Sequence, residues 1–393
     1  MSDSELNQRF GRFVETAVAG ETVRAFVPPP LPPMPAIDVL SLLERLSLAE
    51  RALGRLDGIT MLLPRQELFL YMYVRKEAVL SSQIEGTQST LSDLLRFETE
   101  AQAGQPIDDI REVSNYVDAM MYGLERLESL PMSLRLIREM HARLLQSGRG
   151  GTKNPGEFRR SQNWIGGTRP RNALFVPPPV TEMDTCLDAL EGFMHEDRSR
   201  LPALIKGGLL HVQFETIHPF LDGNGRIGRL LVTLYLCMNG VLRKPLLYLS
   251  LYLKAHRTEY YRLLQEVREH GSWEGWLDFF LAGVADTANQ AFDAATRIVE
   301  VFKEDRERIT TESDRAGSAL RIHDLFQQNP FLTANQLVQK TDLSAPTVNA
   351  ALTYLERFGI VEEVTGRKRG RVFSYRRYLA ILSEGTDPLP AAV

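Results

Sequence analysis

The chain has 393 residues, 44% of them apolar and 24% charged, with a formal net charge of -4. That length exceeds what one hydrophobic core usually organises, so two or three domains are expected. The composition excludes a generally disordered chain and a protein that binds nucleic acid by bulk charge. Two cysteines, Cys186 and Cys237, leave no disulfide framework and no metal-type spacing. The longest apolar run, 230–238, is far short of the ~20 residues a membrane helix needs. MSDSELNQRF lacks the pattern of a secretory signal, so a reducing cytoplasm is the expected compartment.

Residues 27–35 read VPPPLPPMP and should run extended, as an ordered leader laid over the next domain. From 37 to about 145 the pattern is helical. Ile37, Leu40, Leu43 and Leu46 recur at three-residue spacing, and the period resumes after Pro64. Gly86 and the polar residues 87–90 mark a break, with Ser89 or Thr90 capping a helix through Leu94. Another helix should cover 110–127. Pro131 opens the next, with Ser133 as its capping residue. Between 148 and 179 glycine, proline and arginine dominate. Short β-like pieces at 163–165 and 174–176 flank the turn-rich GGTRPRN, which predicts a β-hairpin inserted into a helical domain. Helices return at Glu182 and run to about Arg308. Residues 303–315 read as a linker or a helix extension. Beyond them comes a helix at 319–328, then one at 334–340 capped by Thr333. A third is capped by Ser344, with Pro346 in its first turn, and ends at Gly359. Two strands, 360–364 and 372–375, enclose the basic turn GRKRGR. This is the order of a winged helix-turn-helix.

The chemistry concentrates at 218–229, HPFLDGNGRIGR. The run from Ile227 onward is an apolar helix, so residues 222–225 form the loop at its N-terminus. Glycines there let backbone N–H groups face an anion, and the helix dipole assists. Asn224 adds a side-chain donor. Arg226 and Arg229 are three apart and share one side of the first turn, which suits a polyphosphate. Asp222 offers a hard oxygen for Mg2+. His218 is the one group here able to act as a base near neutral pH. Together they suit nucleophilic displacement at a nucleotide phosphorus.

These residues resemble the Fic-domain signature HPFx(D/E)GNGRxxR, which the sequence matches without departure. Doc kinases and phosphocholine transferases resemble it less well, because they alter glycine or arginine positions. The resemblance implies a helical core, a β-hairpin flap and transfer of AMP from ATP to a protein hydroxyl. It implies that His218 deprotonates a Ser, Thr or Tyr hydroxyl and that Asp222 holds Mg2+. It assigns Gly223, Asn224 and Gly225 to the α-phosphate region, and Arg226 and Arg229 to the distal phosphates, with Ile227 and Gly228 inside the same nucleotide-binding run. NPGEFRRSQNWIGG (154–167) looks like the segment leading into the family's flap. LYLSLYLKAHRTEYYRLL (247–264) looks like the pair of helices closing the adenine side, where Tyr252, Ala255 and His256 are the candidates. A hairpin beside the base can accept an extended target segment by strand addition.

SSQIEG (81–86) matches the family's inhibitory pattern (S/T)xxxE(G/N) through Ser81, Glu85 and Gly86. Ser81 and Glu85 are four apart and share a helix face. A bidentate pair between Glu85 and Arg229 would occupy the guanidinium that a γ-phosphate needs. ATP would then bind with its α-phosphate misaligned.

The expected fold is mainly α. Residues 1–125 form an N-terminal helical region with the inhibitory motif, and 126–310 the catalytic core with its flap. Residues 316–380 form the winged helix-turn-helix, and 381–393 a tail. Residues 316–380 carry nine Lys/Arg against five Asp/Glu. The charge gathers on Arg367, Lys368, Arg369 and Arg371, followed by Arg376 and Arg377, which suits DNA phosphates. The helix at 346–358 offers Thr347, Asn349 and Thr353 as base readers. A dimerisation or protein-recruitment module with the same fold is the alternative. The leading reading is a self-inhibited protein adenylyltransferase. Its expected partners are ATP, Mg2+, protein hydroxyls including its own, DNA through the winged helix, and a second copy in a homodimer. One rival is a transcription regulator that only senses nucleotide, which would not need His218. Another is a related enzyme that uses a different nucleotide, or removes AMP with Glu85 orienting water.

Overall fold

The computed structural model describes residues 9–389, apart from 19, 63–65, 100–107, 149, 313–315 and 368. It is mainly helical, as expected. The apolar runs on either side of the HPF motif become the two central helices, Ala203–Ile217 and Asn224–Met238. Every residue from Leu204 to Ile217 is buried, which a helix apolar on all sides requires. Around them lie Gln66–Ile84, Asp108–Arg126, Leu134–Leu144 and Val180–Met194. Ser133 caps its helix through the Leu136 N–H. Thr90 rather than Ser89 caps Leu91–Thr99, accepting from the Asp93 N–H at 3.1 Å.

Two readings change near the N-terminus. Residues 12–27 are not helical: Arg12–Val18 and Glu21–Val27 pair as an antiparallel hairpin. The helix expected from 37 is Leu43–Leu62, with Leu46, Ala49 and Leu53 on its buried face and Leu42 buried just before it, while Leu40 is 82% exposed. The proline leader is neither helix nor strand and is fixed by Gln213, whose amide donates to the Pro29 carbonyl at 2.7 Å.

The expected flap hairpin narrows to a single bridge, Ile165 to Phe175. The N-terminal hairpin backs it. The Phe26 N–H donates to the Val176 carbonyl at 2.9 Å, and Val18, Val23, Ala25 and Val176 form a small apolar cluster.

The charged stretch at 303–312 is no linker. It continues Trp273–Glu312, a helix of 40 residues. The winged helix docks on it. Ala316–Gln328, Ala334–Thr341 and Ala345–Arg357 are capped as expected by Thr333 and Ser344 in the last two cases. A third strand, Phe331–Thr333, joins the wing, so Val372–Tyr375 lies between it and Val361–Glu363. A further helix, Arg376–Ser383, runs into what the sequence suggested was tail.

Asp305 fixes the docking. It is fully buried, accepts from the Tyr375 hydroxyl at 2.8 Å and pairs with Arg377 at 3.0 Å and Arg308 at 3.2 Å. Asp305→Ala leaves a buried tyrosine hydroxyl without its acceptor. That substitution should cost about 1–3 kcal/mol, read as a lower thermal unfolding midpoint. An unchanged midpoint would mean that the docking rests on the apolar contacts alone.

Candidate active site

His218 ends the helix Ala203–Ile217 with left-handed backbone, φ 49°. That turn throws the chain into the loop 219–223, after which Gly223 starts the helix Asn224–Met238. No side chain caps that helix, so its first N–H groups are open to an anion, as the motif suggested.

Four side chains brace this loop. Asn224 accepts from the Phe220 N–H at 2.8 Å and donates to the Phe220 carbonyl at 2.8 Å. Both of its polar atoms are therefore engaged, and it holds the loop. Arg159 is buried and donates to the His218 carbonyl at 3.1 Å, the Ser161 carbonyl at 3.3 Å and the Pro178 carbonyl at 2.5 Å. Asn163 reaches the Phe220 carbonyl at 3.0 Å. Arg159 and Asn163 tie both ends of the flap to the histidine.

The fourth brace, His141, was not singled out from sequence. It stacks on Phe220 with ring centroids 3.7 Å apart. Its Nδ1 accepts from the Gly156 N–H at 2.8 Å, so its Nε2–H donates to the Asp222 carbonyl at 3.0 Å. Burial pushes its pKa down to about 4, so the ring stays neutral and the tautomer is fixed. A single histidine inside an amphipathic helix carries no sequence signal for this role.

His218 itself is half-buried. Burial first, then the Arg268 and Arg159 cations, hold its pKa well below the usual imidazole range. It is neutral at physiological pH, which is the form able to accept a proton. Asp222 accepts from the Gly223 N–H at 2.6 Å and pairs with Arg226 at 3.5 Å, both through Oδ1. Among the described residues no group of three or more His, Cys, Asp or Glu side chains could hold a metal ion. A cation at Asp222 would thus take most of its ligands from phosphate oxygens and water, which suits Mg2+.

The two arginines diverge instead of forming one cradle. Arg226 is buried between Glu112 at 3.4 Å and Asp222. Arg229 is buried and bonded to the end of the helix Gln66–Ile84 and to Glu85 just beyond it. Its Nε donates to Ser81 Oγ at 2.7 Å, and its Nη2 to the Ser81 carbonyl at 3.0 Å and to Glu85 Oε1 at 2.6 Å. The pair is therefore not bidentate; Ser81 supplies the second and third acceptors. Burial raises the Glu85 pKa, but the Arg229 charge and hydrogen bond outweigh it and leave the carboxyl below its ordinary value. Gly225 makes room for this contact, since a Cβ there would sit 2.3 Å from Glu85 Oε1. Gly86, just beyond Glu85, has φ 102° and lets the chain turn away.

The remaining candidates lie elsewhere. Ile227 is fully buried in the core. A Cβ on Gly228 would lie 2.5 Å from Glu215 Oε1, so this glycine serves close helix packing rather than a nucleotide. Tyr252 and His256 lean on each other, 4.3 Å between centroids, and on Phe279. Ala255 is exposed. Tyr260 and Tyr261, one turn further on, are the tyrosines whose hydroxyls feel both Glu85 and Arg229. The adjacent tyrosines are the one sequence signal for this position.

His141→Phe keeps the stack on Phe220 and removes both hydrogen bonds. It should speed amide exchange at 154–157 and 219–225 and cost about 1–3 kcal/mol of stability. Unchanged exchange in both segments would remove the histidine from its bracing role.

Residues 131–236 match the Fic/DOC family, 43–125 match the Fic/DOC family N-terminal region, and 317–362 match a winged helix-turn-helix DNA-binding family. The chain is 30% identical over 214 residues to protein adenylyltransferase Fic of Drosophila grimshawi, covering 53% of this chain and 40% of that one. It is 30% identical over 255 residues to the protein of the same name from Aedes aegypti, covering 64% of this chain and 46% of that one. The chain thus spans less than half the length of these relatives. A Fic family protein from Desulfovibrio desulfuricans G20 superposes with a TM-score of 0.55 at 20% identity, over 85% of this chain and 95% of that one. A Fic domain containing signaling protein from Bacteroides thetaiotaomicron VPI-5482 gives 0.50 at 18%, over 64% and 96%. At these identities the likeness shows the fold alone. The histidine loop, the open helix N-terminus and these matches agree: the chain carries a Fic/DOC family domain, with the family's N-terminal region before it and a winged helix-turn-helix behind it.

Proposed function

We propose that this protein is a self-inhibited adenylyltransferase that moves AMP from ATP to Ser, Thr or Tyr hydroxyls, its own included. The observation that carries the proposal is Arg229, a buried cation already bonded to Ser81 and Glu85 beside an intact His218 loop. A neutral His218 takes the hydroxyl proton. The hydroxyl oxygen attacks the α-phosphorus, the bond to the β-phosphate oxygen breaks, and pyrophosphate leaves. The first N–H groups of the helix Asn224–Met238 face the charge that develops. Asp222 would hold Mg2+, which supplies countercharge to the phosphates. Arg229 would meet the distal phosphates once Glu85 lets go. The names of the matched relatives support adenylyl transfer over another donor. Protein hydroxyls, ATP and a second copy of the chain are the partners on this reading, in a cytoplasmic setting.

Wild-type protein should label itself weakly from α-labelled ATP, and Glu85→Gly strongly. Glu85→Gln should activate less, because its amide still accepts from Arg229. In the Glu85→Gly background, His218→Ala should lower transfer by ~10²–10⁴, and Arg229→Ala should remove the gain. The pH dependence has a defined sign. The Glu85 pKa is depressed, so the pair persists until pH falls below the ordinary carboxylate value. Wild-type labelling should therefore stay low from pH 8 to pH 5. Equal labelling by wild type and Glu85→Gly, both folded, would sink self-inhibition and leave transfer untouched.

The winged helix supports a second, separate activity, contact with duplex DNA through phosphates. Base reading has less support. Asn349 is engaged with the Ala345 carbonyl at 2.9 Å and with Arg371 at 3.1 Å. Thr353 bonds the Asn349 carbonyl, and Thr347 bonds Ser344. Arg376 and Arg377 pair with Glu362 and with Glu304 and Asp305, and Lys368 lies outside the described residues. Binding should be weak, steeply salt-dependent and indifferent to sequence. It should fall when Arg367, Lys368, Arg369 and Arg371 are neutralised. No binding in a low-salt mobility-shift titration would favour protein recruitment.

A further inference from the structure

Gln83 lies between Ser81 and Glu85, in the last turn of the helix Gln66–Ile84, and is buried. Its side chain takes no part in the contact with Arg229. Its amide donates to the Ser89 carbonyl at 2.8 Å and to the Thr386 carbonyl at 2.8 Å. Its carbonyl accepts from Lys254 Nζ at 2.7 Å. The same ammonium group donates to the Gly385 carbonyl at 3.2 Å and to the Asp387 carbonyl. Glu384 takes both terminal nitrogens of Arg297, at 2.8 and 2.6 Å. Residues 384–387 follow the last helix of the winged-helix module, and here they are seated on the inhibitory turn.

We propose that residues 384–387 are a clamp through which the winged-helix module holds Glu85 on Arg229, and that displacing them releases the active site. This rests on the self-inhibition reading and adds what sustains it. Glu85 lies just past the helix end, where intrahelical bonds run out. Locally it is held by short turn bonds, Glu85 N–H to the Ser82 carbonyl and Gly86 N–H to the Gln83 carbonyl. Such turns fray unless something anchors them. Gln83 and Lys254 are the positioning residues that supply the anchor, through the carbonyls of Gly385, Thr386 and Asp387, far from Gln83 in sequence. A buried amide and ammonium cannot let go one bond at a time without leaving unpaired polar atoms. The segment is therefore either seated or released, which is the behaviour a switch needs.

Two substitutions approach the clamp from opposite sides in the full-length protein. Gly385 has φ 77°, and a Cβ there would meet Leu251 Cδ1 at 2.6 Å, so Gly385→Val should unseat the segment from the C-terminal side. Gln83→Leu removes the anchor while keeping its volume and helix propensity. Each should raise self-labelling from α-labelled ATP by about fivefold or more, below the level of Glu85→Gly. In the Glu85→Gly background neither should add to the gain, because the clamp acts through that carboxylate. Wild-type labelling by both single variants, with Glu85→Gly strongly active, would overturn the clamp. So would additive gains in the double variants. If Glu85→Gly is itself silent, self-inhibition fails, and amide exchange decides the clamp. Faster exchange at 81–87 in Gly385→Val than in wild type then upholds the contact as an anchor, and equal exchange overturns it.

Discussion

A guanidinium sealed from water must have acceptors, and the architecture around Arg229 follows from that requirement. Its partners come from the end of a helix about 150 residues earlier in the chain: the Ser81 hydroxyl, the Ser81 carbonyl and one oxygen of Glu85. Ser81 is fully enclosed, whereas the Glu85 side chain is 35% exposed. The two contacts are therefore unequal. Ser81 belongs to the packed interior, while Glu85 sits at its edge, in reach of solvent. Glu215, behind Arg229, is buried and its carboxyl is pushed up to about 7, chiefly by burial. Of Ser81 and Glu85, the one on the open side is Glu85.

The loop that carries His218 is rigid for a related reason. Its backbone polar groups lie between two buried helices and need partners other than water. Arg159, Asn163, Asn224 and His141 provide them. Each of the four also bonds or packs against a different segment, so the loop, the flap and the helix Leu134–Leu144 are fixed to one another. Most of the motif's polar side chains hold the site's shape. The helix N–H groups have no side-chain cap, and the histidine ring is only half-buried. A nucleotide would find a preformed anion site instead of one assembled around it.

The winged helix is not an appendage on a loose tether. The helix Trp273–Glu312 reaches from the core into the C-terminal module, and the buried Asp305 joins them. Phe302 packs on Tyr375 and Tyr378, with centroids 5.7 and 4.9 Å away. Force or displacement at the wing therefore has a stiff route toward the core. The segment after the last helix completes a second route, ending at Gln83.

The sequence by itself determined the elements whose signals are local. Spacing and caps placed Thr333 and Ser344 at helix starts, and a run of nine fixed positions placed His218 through Arg229 at a helix N-terminus. The pairing of Glu85 with Arg229 was legible through the resemblance of Ser81, Glu85 and Gly86 to the family's inhibitory pattern. Only the tertiary structure decided what those side chains hold. It turned Asn224 inward, separated Arg226 from Arg229, and gave Ser81 the bonds expected of a bidentate carboxylate. It also exposed Leu40, opened the N-terminal helical region with a hairpin, and found His141 and Gln83 at crossings of distant segments. The physical reason is common to all of these. Periodicity and capping depend on neighbours within a few residues, whereas the partner of a buried polar atom is whichever distant segment the packing brings against it.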